Sequence, residues 1–311
     1  MRKNKRKNKT KRKNPRKARK ASIPGGLAWA LVLLFLLFTI LVLLAVLRPE
    51  RTQRLYTTDS PKDSPSKPQQ IYSPESSEAH RSPASSKKKA LKPEIALIID
   101  DMGQRPRLER KFFALDLTLN FSFLPYAPFT QKLAREAHQK GFTVMVHLPM
   151  EAINGNDPGP GALKLSMTKE EIQNKVREMI SRVPFASGAN QHMGSLFSQD
   201  PLKMKWVLEV LQKKQMFFID SRTTPHTVAS LVAKTLKIPF AERGHFLDNN
   251  LKEDFLEKSF KDMLAKARNH GRLIVIAHPH PQTLKLLKRH RKDLIEQVNL
   301  VSVKKMVEVR P

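Results

Sequence analysis

The chain contains no cysteine. Disulfides and thiolate catalysis are thereby excluded, and any metal site has to be assembled from histidine and carboxylate. Acidic residues are scarce: 28 Asp and Glu stand against 57 Lys and Arg, a formal net charge of +29 over 311 residues. The first 20 residues hold 13 basic residues and not one acid. No internal repeat is visible.

A basic chain invites a nucleic-acid reading, but the segment after the basic run favours a topogenic one. Residues 27–47 read LAWALVLLFLLFTILVLLAVL, 21 residues without a charge. Such a run crosses a hydrocarbon core about 30 Å thick as a helix. Basic flanks stay in the cytoplasm, and Arg48, Arg51 and Arg54 on the far side are outnumbered. A cleaved signal peptide would have a shorter apolar region, about 7–15 residues, and a small-residue cleavage motif. The expectation is an uncleaved single span with the N-terminus inside. The basic tail also suits anionic lipid headgroups, and nucleic acid is disfavoured as a partner. Residues 48–93 are rich in Ser, Pro, Lys and Gln and cannot bury a core, so they read as a disordered linker. The division is a basic tail 1–26, a transmembrane helix 27–47, a linker 48–93 and a folded domain 94–311.

Within the domain, short apolar runs alternate with longer amphipathic stretches. Strands are expected at 95–99, 120–124, 143–147, 187–191, 216–220, 239–241 and 273–277, with a further one at 300–303. Helices are expected at about 129–140, 168–182, 201–214, 225–236, 251–269 and 281–291. Thr168 followed by Glu171 is a capping-box pattern, and Asp200-Pro201 pairs an N-cap with a first-turn proline. Unbroken apolar runs suit strands buried on both faces, and the strand–helix repetition says α/β, a barrel or a wound sheet.

Nearly every expected strand ends in a residue capable of chemistry: Asp100 and Asp101 in "IALIIDDMG", His147 in "VMVHLPME", His192 in "NQHMGS", Asp220 and Arg222 in "FFIDSRTT", Asp248 in "HFLDN", and His278 and His280 in "IAHPHPQT". In parallel α/β folds the C-terminal strand ends share one face, where active sites form. So many titratable groups buried together are costly without a ligand, and an Asp with two His suits zinc or a similar divalent ion. His226 reads as a helix-start residue, and "AERGHFLDNN" as a rim loop.

These motifs, in this order, resemble the divergent polysaccharide deacetylase family of bacterial envelope proteins, over about 94–309. The resemblance implies a distorted (β/α) barrel of about seven strands and metal-assisted removal of N-acetyl groups from envelope glycan. Carried over, Asp100 is the general base, Asp101 a metal ligand and His278 the general acid, with His280 sharing or orienting it. Ordinary deacetylases take two histidine ligands four residues apart. Here His147 is followed by Leu-Pro-Met-Glu, so the second histidine would be His192 from the next strand end. Asp220 and Arg222 would support the ligands or touch substrate, and Glu151 and Asp248 would line the cleft. The implied setting is the cytoplasmic membrane of a bacterium, with the domain outside the cytoplasm and a glycan partner. A protein that keeps barrel and metal but only binds glycan or lipid is the alternative. A glycoside hydrolase is disfavoured, because strand alternation sends adjacent carboxylates to opposite sides.

Overall fold

The computed structural model describes residues 91–309; the basic tail, the 27–47 apolar run and nearly all of the 48–93 linker lie outside the described residues. Among the described residues no helix is long and apolar enough to cross a membrane.

The domain is one sheet of parallel strands: β1 (Glu94–Met102), β2 (Asn120–Phe123), β3 (Thr143–Met150), β4 (Gly188–Met193), β5 (Phe217–Asp220), β6 (Phe240–Glu242), β7 (His245–Phe246) and β8 (Arg272–Ala277), with β9 (Asn299–Leu300) paired to the foot of β1. The lateral order is β6-β5-β4-β3-β2-β1-β8-β7. The two edges, β6 and β7, are consecutive in the chain and joined only by Arg243 and Gly244. Two linking residues span at most about 11 Å, so the sheet has to curl until its edges nearly meet. No ladder closes them. The expected distorted barrel of about seven strands is, in detail, a curled half-barrel with an open seam. Short β7 lies inside the stretch read as a rim loop.

Strand parity divides the interior. Ile95, Leu97 and Ile99 face the helix layer and join its apolar core. Ala96 and Ile98 face inward with Met145, Phe217, Ile219, Ile274 and Ile276. Towards the C-terminal strand ends this inner set becomes polar: Asp100, Ser122, His147, Asn190 and Ser221 are all buried there. The sheet thus carries a dry lower plug and a polar upper layer, and the polar layer positions the site.

Most helices follow their sequence signals. Asp200 caps Pro201–Lys213 by accepting from the N–H groups of Leu202 and Lys203, and Thr168 and Glu171 form the reciprocal capping box of Lys169–Arg182. Helices Pro106–Phe113 and Arg291–Gln297 were not expected. Ala229–Leu236 starts later than expected. The Thr227 hydroxyl accepts from the Ala229 N–H and donates to Asp220, which holds 225–228 as a turn, so His226 precedes the helix.

Candidate metal centre

Asp101 and His192 are next to last in β1 and β4, and His147 lies inside β3, which runs on to Met150 rather than ending at His147 as expected. Asp101 Oδ1 lies 3.2 Å from His147 Nε2 and 2.9 Å from His192 Nδ1, and the two ring nitrogens are 3.2 Å apart. The near-equilateral triangle matches the edge of a tetrahedron, about 3.3 Å when ligands sit about 2.0–2.1 Å from an ion. Asp101 Oδ1 is buried and has no hydrogen-bond partner. An orphaned carboxylate oxygen against two imidazole nitrogens fits a small divalent ion, since buried acceptors otherwise find donors.

Alternation alone would not bring both acids here. Asp101 adopts φ +54°, a left-handed conformation costly for a residue with a side chain, and the β1–β2 register shifts between Ile99 and Met102. The kink turns Asp101 back over the barrel mouth, so that both carboxylates approach His147 Nε2, Asp100 at 3.7 Å and Asp101 at 3.2 Å. The expectation of opposite sides is corrected accordingly. Glu109 fixes the kink. It is fully buried and accepts from the N–H groups of Gly103, Gln104 and Arg105. Gly103 follows at φ +108°, where a Cβ would lie 2.3 Å from Thr130 Oγ1.

Asn190 organises the layer beneath. It pairs with His147 in the β3–β4 register. Its Oδ1 accepts from Ser122 Oγ at 2.6 Å and lies 2.9 Å from His147 Nδ1. With Ser122 as donor, Asn190 Oδ1 serves as acceptor for the His147 Nδ1–H, which leaves the Nε2 lone pair facing Asp101. The Asn190 amide nitrogen reaches both oxygens of Asp100 at 2.9 Å. Burial raises the Asp100 carboxyl above its ordinary range, against the opposing pull of His147 and His278. Burial also pushes Asp101 upward, but the imidazoles of His147 and His192 outweigh it and hold that carboxyl well below the usual range.

His278, just past β8, faces this group with Nε2 4.0 Å from Asp101 Oδ2. Its Nδ1 is 3.0 Å from Asp248 Oδ1, while Asp248 Oδ2 accepts from the His278 N–H at 2.7 Å and from Thr283 Oγ1 at 2.6 Å. Burial lowers the imidazole, yet the Asp248 carboxylate dominates and lifts it to about 9. His280 stands behind, its ring centre 5.9 Å from that of His278. Asp248, His278 and His280 are close enough to resemble a second ligand set, but both Asp248 oxygens are already hydrogen-bonded.

The remaining expected residues are elsewhere. Asp220 has the outward parity of Phe218, so it accepts from Gln191, the Arg222 N–H and Thr227 rather than facing the triad. Arg222 pairs with Glu242 at 3.0 Å. Glu151 accepts from the Leu165 N–H and braces the 151–168 loop. Asn190, Ser122 and Glu109 were not expected. Parity would have found the first two, both inward, Asn190 on the strand of His192 and Ser122 on β2 between the strands of Asp101 and His147. Glu109 gives no signal, because a glutamate in "PRLERKFF" reads as solvated. Beside the triad opens a cleft of about 490 Å³ lined by Asp101, Arg105, Tyr126, Pro128, Pro158 and His192, among others.

The model of the family described as divergent polysaccharide deacetylase matches residues 97–307. An uncharacterised protein of Haemophilus influenzae (strain ATCC 51907 / DSM 11121 / KW20 / Rd) is 32% identical over 209 residues, 67% of this chain and 75% of that one. The uncharacterised protein YibQ of Escherichia coli (strain K12) is 30% identical over 213 residues, 68% of this chain and 67% of its own. Among solved structures, an uncharacterised protein from Agrobacterium tumefaciens C58 superposes with a TM-score of 0.66 at 18% identity, covering 70% of this chain and 91% of that one. That likeness concerns the fold.

Proposed function

The chain belongs to the divergent polysaccharide deacetylase family, and from that premise we propose that it is a metal-dependent hydrolase that removes N-acetyl groups from envelope polysaccharide. The observation that carries this reading is the triangle of Asp101 Oδ1, His147 Nε2 and His192 Nδ1, with its unpartnered carboxylate oxygen, at the mouth of a cleft.

Asp101, His147 and His192 would hold the ion. Bound there, a divalent cation, zinc being the natural candidate, supplies Lewis-acid polarisation of the acetyl carbonyl and of water. Asp100 accepts a proton from the attacking water, held in place by the Asn190 amide. His278 donates a proton from Nε2 to the departing amine, while Asp248 keeps Nδ1–H engaged and sustains the charged imidazolium. Atoms balance as amide plus water giving acetate and free amine. Tyr126 and the cleft prolines offer apolar faces to a sugar ring. The uncharged 27–47 run and the basic residues before it support an anchor in the cytoplasmic membrane, N-terminus inside and domain outside.

The test uses the full chain, with metal content and acetate release from acetylated envelope glycan measured together. Asp100→Asn is expected to lower release by about 10²–10⁴-fold and to leave metal content unchanged. A wild-type chain that retains its metal yet releases no acetate from any acetylated glycan would overturn the hydrolase and favour a glycan-binding protein.

A further inference from the structure

Basic residues gather at one end of this domain. Because every ladder is parallel, the helices return to one end, opposite the candidate site, and their last turns meet the strand feet there. Last turns carry His138, Arg182, Lys213, Lys234, Arg268 and His270, whereas acids in first turns, such as Glu109, Glu170, Glu171, Glu253 and Asp254, lie at the site end. The helix dipole accounts for part of this pattern, but not for all of it. Lys214 and Lys237 lie beyond their helices, and Lys304 and Lys305 belong to a 3₁₀ turn under the barrel. Lys237 even occupies a left-handed cap, φ +55°, where glycine would be relaxed.

These cations form one face. Gln212 donates to the Leu236 carbonyl, joining two helix ends; Phe240 bridges to Glu308, and Arg272 donates to the Lys305 carbonyl, joining the 3₁₀ turn to them. Lys213, Lys214, Lys234, Lys237, Lys304 and Lys305 are exposed, and none has a carboxylate partner, whereas the nearby acids Glu94 and Glu308 are held by Arg272. The described chain also enters on this face, where Glu94 begins β1.

We propose that this basal face docks on an anionic phospholipid surface and so turns the cleft away from the membrane. Unpaired lysines over a wide, shallow area suit a plane of phosphate headgroups, each basic residue near such a surface gaining about fivefold in partition at low salt.

The absence of native cysteine makes the test direct. In the full chain, Thr235→Cys on the basal face and Asn156→Cys on the cleft rim each carry one donor fluorophore. The chain is reconstituted into phosphatidylcholine vesicles with or without phosphatidylglycerol, with an acceptor on the headgroups. Energy transfer is expected to be several-fold stronger at 235 than at 156 in the anionic vesicles. The difference should vanish in phosphatidylcholine alone or at high salt, where exposed charges are screened. Lys→Gln at 213, 214, 237 and 304 together should abolish it. Lys→Gln at 132, 164, 252 and 261, an equal charge change elsewhere, should leave it intact, with thermal unfolding showing both variants folded. Equal transfer at the two positions, indifference to lipid charge, or equal loss in both quadruple variants would overturn the proposal. So would a basal label that responds to a soluble oligonucleotide but not to phosphatidylglycerol.

Discussion

The barrel mouth holds two groups built from the same ingredients, a carboxylate with two imidazoles, and they are finished differently. Around Asp101 the acceptor is left bare: Oδ1 has no hydrogen bond although two ring nitrogens lie within 3.2 Å. Around Asp248 both oxygens are engaged, Oδ1 with His278 Nδ1 and Oδ2 with the His278 N–H and Thr283 Oγ1. A bare acceptor among ring nitrogens is an invitation to a cation. A carboxylate engaged through both oxygens behind one ring nitrogen fixes that ring and its proton. On the proposed reading the contrast separates ion-holding from proton-holding, and residue type alone does not, because each cluster gathers a carboxylate and two imidazoles within 4.8 Å.

The sharpest way to break this contrast is to remove one member from each group. His192→Ala should lower the metal affinity of the full chain by more than about 100-fold, the upper end of what losing a merely supporting hydrogen bond costs. Asp248→Asn should leave metal content untouched and act on protons instead. His278 is lifted to about 9 from an ordinary 6.5, so the stability of its charged pair is fully present below about 6.5 and is lost as pH rises through about 9. Without Asp248 the imidazole falls back, and the alkaline limb of the pH–rate profile should move to lower pH. An ion beside Asp101 lowers the starting point in both proteins but not the direction of the change. Metal loss in Asp248→Asn, measured by elemental analysis, would erase the distinction.

Asn190 tests how the bare group is kept in order. It couples His147 to Asp100 and Ser122 through one amide. Asn190→Ala should weaken metal affinity by about 10–100-fold, as loss of a ligand's orienting partner does. It should also cost about 1–3 kcal/mol of stability, because buried polar groups lose their partner. Titration calorimetry with the divalent ion and urea unfolding read the two effects separately. A variant that loses stability but binds the ion normally would make Asn190 structural only.

Much of this was legible in the sequence, and parity explains where legibility ended. Six strand ends with Asp or His marked the face, and Asp101, His147 and His192 do converge. A strand-end position alone would put Asp220 beside the triad, but parity does not: Ile219 points inward, so Asp220 cannot. Asp101 goes the other way: alternation sends it away, and a left-handed kink held by Glu109 brings it back. That kink depends on a contact six residues away in sequence and has no local signature. The open seam was equally hidden, since strand number can be read from periodicity while closure depends on whether the Arg243-Gly244 link leaves room for a ladder.

Thr283 offers the smallest and most discriminating change. It is fully buried, and its hydroxyl donates to Asp248 Oδ2. Thr283→Val keeps the shape and removes one of three donors, so stability in urea should fall by about 1 kcal/mol, the net worth of a hydrogen bond. The bond between Asp248 and His278 Nδ1 survives, so the alkaline limb should stay near its wild-type position and turnover should drop less than tenfold, the equivalent of about 1.4 kcal/mol. Metal content should not change. Were Thr283→Val to shift the alkaline limb as far as Asp248→Asn, the Asp248–His278 pair would depend on the third donor for its charge as well as its placement, and the full set of partners would be what sets the proton.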